Sequence, residues 1–87
     1  MNPTDRFYFV CAQGLRSAQL GQYADNSPLA LRANLEQEAK AFDTNWGPKS
    51  GTIFTMISPG VDVMNTYIDQ ACNKLQKWID AGKPALQ

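Results

Sequence analysis

Pro3-Thr4-Asp5-Arg6-Phe7-Tyr8-Phe9-Val10-Cys11-Ala12-Gln13-Gly14-Leu15-Arg16-Ser17-Ala18-Gln19-Leu20-Gly21 is the stretch on which the fold turns. Read as a helix, it places Phe7, Val10, Cys11, Gly14 and Ala18 on one face, and Asp5 follows three residues after a capping Asn2. Read as a strand, Arg6 to Ala12 is rich in the aromatic and branched residues that suit a sheet. Length arbitrates between the two. A strand ending near Ala12 would leave about fourteen residues, Leu15, Ala18 and Leu20 among them, as loop before the next start signal at Ser27, which is long for so small a domain. The helix is the expectation, although Gly14 costs it about 1 kcal/mol relative to Ala.

Outward from this stretch, one signal recurs: Asn2-Pro3, Ser27-Pro28 and Ser58-Pro59 each set a capping side chain before a proline. The cap accepts from free helical N–H groups, and proline has no N–H to leave unpaired in the first turn. Three helices are therefore expected, over about 3–21, 28–46 and 59–81. In the second, Leu31, Leu35, Ala39, Phe42 and Trp46 share a face, and Gly47-Pro48 ends it. In the third, Val61, Met64, Ile68, Ala71, Leu75 and Trp78 recur at steps of three and four, with Cys72 and Ile79 widening the stripe. Ala81-Gly82-Lys83-Pro84 supplies its stop, a glycine suited to the left-handed cap and then a proline.

The expected fold is an all-α three-helix domain with an irregular or extended link at 50–57 and a frayed tail at 83–87. The alternative is an α+β arrangement in β-α-β-α order, in which 6–12 and 52–57 pair as a two-stranded sheet. At 87 residues, with 44% apolar and 18% charged residues, the chain has room for one core. No signal peptide or stretch of roughly 20 apolar residues is evident, so a cytoplasmic protein without a membrane span is expected.

Composition also narrows the chemistry. The chain has no histidine, which removes every His-dependent triad and every His-ligated zinc site. Cys11 and Cys72 form no paired Cys motif, and both fall on apolar stripes as buried thiols. An enzyme would need one of them as nucleophile with no His to activate it. Asp62, Asn65, Thr66, Asp69, Asn73, Gln76 and Asp80 form a solvated polar face, without the dense ligand alternation of a calcium loop. Gly47-Pro48-Lys49-Ser50-Gly51 lacks the first glycine of a phosphate loop and reads as a connector. No catalytic residue, cofactor or metal is expected.

The most informative oddity is Phe7-Tyr8-Phe9, because successive helical residues point about 100° apart and cannot all enter one core. Phe7, Tyr8 and Phe9, with Tyr67 of the third helix, are the expected protein interface, since aromatics dominate interface hot spots. The expected function is a small non-enzymatic protein-binding module: an adaptor, an assembly factor, or an inhibitor such as mobile elements direct at host proteins. The heptad-like stripe of the third helix reads first as packing against the other two helices, with self-association as a homodimer the alternative. The alternative is a nucleic-acid-binding regulator acting through Arg16, Lys74, Lys77 and Lys83. A net charge of zero weighs against it, as do Asp62 and Asp69 at the start of any recognition helix.

Overall fold

Residues 3–46 and 61–86 are described by a computed structural model. Three helices account for most of them: α1, Pro3–Gln19; α2, Pro28–Trp46; and α3, Val61–Asp80. The fold is all-α, and there is no strand among the described residues. The sheet alternative loses its first strand outright, because residues 6–12 lie inside α1. The link expected at 50–57 and the start expected at Ser58-Pro59 lie outside the described residues.

Cross-helix contacts set the directions. Phe7, near the start of α1, meets Phe42, near the end of α2, so these two helices run antiparallel. Tyr8 meets Tyr67, and Leu15 lies beside Lys74, so α1 and α3 run parallel. All three pairs of helices pack against one another. Their shared core holds Phe7, Cys11 and Ala18 of α1, Leu31, Leu35 and Phe42 of α2, and Met64, Ile68, Ala71, Cys72 and Leu75 of α3. These are the periodic positions of the sequence, now facing one another.

This packing answers two expectations. The stripe Met64, Ile68, Ala71 and Leu75 is buried inside the monomer and is therefore not open as a seam between two copies. Phe7, expected at the interface, has 0% exposure and sits edge-on to Phe42 at a centroid distance of 5.5 Å. Its ring is core, because it lies in line with Cys11 and Ala18 on the inward face of α1.

The helix ends follow their local chemistry. Ser27 caps α2 by accepting from the Ala30 N–H at 3.2 Å, while its carbonyl takes the first helical bond from Leu31. At the end of α1 the Gly21 N–H reaches the Ala18 carbonyl and the Gln22 N–H reaches Ser17, with Gly21 at φ 71°. The end of α3 repeats this closure through Gly82, at φ 88°, and Lys83, which donate to Ile79 and Trp78. The tail beyond it is tied down at its root, since the Trp78 indole N–H donates to the Pro84 carbonyl at 2.9 Å.

Gly14 has the strictest steric requirement. A Cβ there would lie 3.1 Å from Leu35 Cδ2 and 3.2 Å from Leu31 Cδ1, and both leucines are buried. The absent side chain lets α1 approach α2 closely enough for those leucines to cover it. Replacing Gly14 by Val should destabilise the domain by about 2 kcal/mol through overpacking. Urea unfolding checks this, and an unchanged or raised midpoint would contradict the close approach.

Candidate functional site

Once Phe7 is seated in the core, the helical rotation carries Tyr8 and Phe9 outward, and they are 48% and 51% exposed. Tyr8 leans toward α3, where its ring meets Tyr67 edge-on at 5.3 Å and 80°. Tyr67 is half-buried against the core. Phe9 lies one residue further round, on the outer ridge of α1. The tertiary structure therefore joins Tyr8 to Tyr67, leaves Phe9 on the outer ridge of α1, and removes Phe7 from the set.

A shallow dimple of about 40 Å³ lies between α1 and α3, lined by Tyr8, Ala12 and Leu15 on one side and Tyr67, Gln70 and Lys74 on the other. Cys11 and Ala71 also line it, and both are buried. On α3 the positions 63, 67, 70, 74 and 77 fall at alternating steps of four and three, so Val63, Tyr67, Gln70, Lys74 and Lys77 run along one stripe. Val63 is itself exposed.

The basic residues of the nucleic-acid alternative fall at one end of the same molecule. Arg16 and Lys77 are in the last turns of α1 and α3, which run parallel. Lys74 lines the dimple with Tyr8 and Tyr67, and Lys83 is exposed just past the α3 cap. Lys74 thus joins the aromatic pair, whereas Arg16 lines the groove between α1 and α2.

The acids of α3 take another direction. Asp62, Asp69 and Asp80 recur at steps of seven and eleven, on the side turned toward α2. There Asp69 Oδ1 is 2.8 Å from Arg32 Nη1. This bridge between α2 and α3 takes Asp69 out of the purely solvated face that the sequence suggests for it. It holds the Arg32 guanidinium above its ordinary range, chiefly through the hydrogen bond to Asp69. Both side chains remain substantially exposed, so its stabilising value is small.

Sequence reasoning also missed an open groove of about 730 Å³ between α1 and α2. Val10, Gly14 and Leu35 form its apolar part, with Gln13, Asn34 and Glu38 among the polar lining. Arg16, Ser17 and Tyr23 complete that lining on the α1 side and in the turn that follows it.

Both cysteines are free thiols buried in the core. Burial pushes the Cys11 thiol from 9.0 up to about 12, with a further rise from the neighbouring Cys72, and burial raises the Cys72 thiol too. An activated nucleophile is shifted in the opposite direction. Among the described residues no group of three or more His, Cys, Asp or Glu side chains converges, and no helix is long and apolar enough to cross a membrane. No protein-family model matches the chain, and no curated protein or solved structure matches it either.

Two outcomes follow from this geometry. Tyr8→Ala should cost about 1 kcal/mol by removing the edge contact with Tyr67, while Phe9→Ala should stay within about 0.5 kcal/mol of the parent, as measured by chemical denaturation. Equal losses in the two variants would contradict the assignment. Because the folded Cys11 value lies above the unfolded one, its contribution to stability is complete below pH 9.0 and is lost as pH rises toward about 12. Thermal melts over that range should show a falling midpoint, with a weaker fall in Cys11→Ala; the same slope in both would exclude the thiol as its source.

Proposed function

We propose that this chain is a cytoplasmic, non-enzymatic protein-binding module that acts through the α1–α3 face and the outer ridge of α1 next to it. The observation that carries the reading is the exposed pair Tyr8 and Phe9 on a helix whose opposite face is fully committed to the core. Large aromatic rings left half in water are costly as surface and effective as anchors, because a partner that covers them removes apolar area at little conformational cost. Tyr67 holds the Tyr8 ring from one side, so part of the ordering cost of binding is already met in the free protein.

The raised thiols support the non-enzymatic side of this reading, since neither is poised as a nucleophile at neutral pH. An adaptor, an assembly factor and an inhibitor of a host protein would all use such a surface. The tagged chain should enrich one protein from a nuclease-treated lysate of its own cells, identified by mass spectrometry. A Tyr8→Ala, Phe9→Ala double variant that keeps its helical circular dichroism should lose that protein. Unaltered capture by the folded double variant would remove the proposed anchor, and a signal abolished by nuclease would point to nucleic acid instead.

A further inference from the structure

We infer that the occupant of the α1–α3 face is an acidic amphipathic helix of another protein, its apolar seam on Tyr8, Leu15 and Tyr67 and its carboxylates toward Lys74 and Lys77. This rests on the protein-binding reading above and names the chemistry of the partner.

Shape favours a helix. Two parallel helices leave a straight furrow between them, and among the described residues there is no sheet edge to which an extended peptide could add a strand. The stripe from Val63 to Lys77 is about 21 Å long at the helical rise, which a partner of about four turns would cover. At its middle the dimple between Tyr8 and Lys74 takes the tip of one small apolar side chain. The floor there is made by the buried Cys11 and Ala71, small residues that let a knob approach the backbone.

Charge favours an acidic helix. The aspartates of α3 lie toward α2, whereas Lys74 and Lys77 lie on the stripe with Tyr67 and are exposed. Asp5 is the one acid of α1, and it lies in the first turn, at the far end from these lysines. A partner that brought lysines to this face would meet like charges beside a desolvated aromatic pair, so the arrangement rejects basic helices as well as attracting acidic ones. A second copy meets the same objection, since it would present its own Lys74 and Lys77.

Nucleic acid is the weaker match to the same residues. The chain has no net positive charge, and the Tyr8 and Tyr67 rings are spent edge-on against each other, which leaves no parallel platform for successive bases.

The experiment is a selection from a displayed library of random peptides on three forms of the full chain: wild type, Lys74→Glu with Lys77→Glu, and Tyr8→Ala with Phe9→Ala. Thermal melts first confirm that all three are folded. Wild type should enrich peptides rich in Asp and Glu with apolar residues three and four apart. The best of these, synthesised, should bind the lysine variant about tenfold more weakly. It should also weaken several-fold on the wild type between about 50 mM and about 500 mM salt. Enriched peptides without acidic bias that still need Tyr8 and Phe9 would overturn this inference and leave the protein-binding reading standing. No enrichment, together with retention of an oligothymidine probe, would overturn both. Concentration-dependent dimerisation that blocks the selected peptide would assign the face to a second copy and overturn the acidic partner.

Discussion

Phe7 seated edge-on against Phe42 fixes the rotation of α1 about its own axis, and the rest of the molecule follows from that rotation. With Phe7 inward, Cys11, Gly14 and Ala18 also turn inward at helical spacing, and Tyr8 and Phe9 must turn out. Gly14 then decides how near α1 comes to α2, because Leu31 and Leu35 occupy the space its side chain would need. A rotation of one residue would put Tyr8 in the core and expose Phe7. The two phenylalanine rings stabilise the observed choice, since neither has a polar atom to satisfy, whereas a buried tyrosine would need a partner for its hydroxyl.

Charge is sorted by the same packing. A small domain of zero net charge has no general field with which to recruit a partner, so any electrostatic preference must come from local segregation. The structure supplies it on α3, where Asp69 turns to meet Arg32 and the lysines are left on the opposite flank. The Arg32–Asp69 bridge adds little to stability, but it takes an acid away from the aromatic face. The result is a surface that combines apolar rings with basic side chains, next to a core in which both thiols are held neutral by burial.

Much of the architecture was legible in the order of residues alone. Ser27-Pro28 and the glycines at 21 and 82 mark helix ends because capping and the left-handed closure are local chemistry, settled within a few residues of chain. The stripes of α2 and α3 are equally local, since a 3.6-residue repeat is visible without knowing what covers it. The first helix was the harder case. Its aromatic and branched residues suit a strand, and the length of chain before Ser27 arbitrated in favour of the helix that the tertiary structure holds in place.

The candidate surface was legible in its members but not in its grouping. By itself the sequence determined that three adjacent aromatics could not all be buried, that histidine chemistry was absent, and that lysines and aspartates shared the third helix. Only the tertiary structure decided that Phe7 was the ring to go inside and that Tyr8 would meet Tyr67. It also decided that Lys74 would stand beside that pair while Asp69 turned to Arg32. The reason is physical: helical periodicity assigns each residue an angle about its own axis, but which angle faces a neighbour depends on how three helices bury their stripes together.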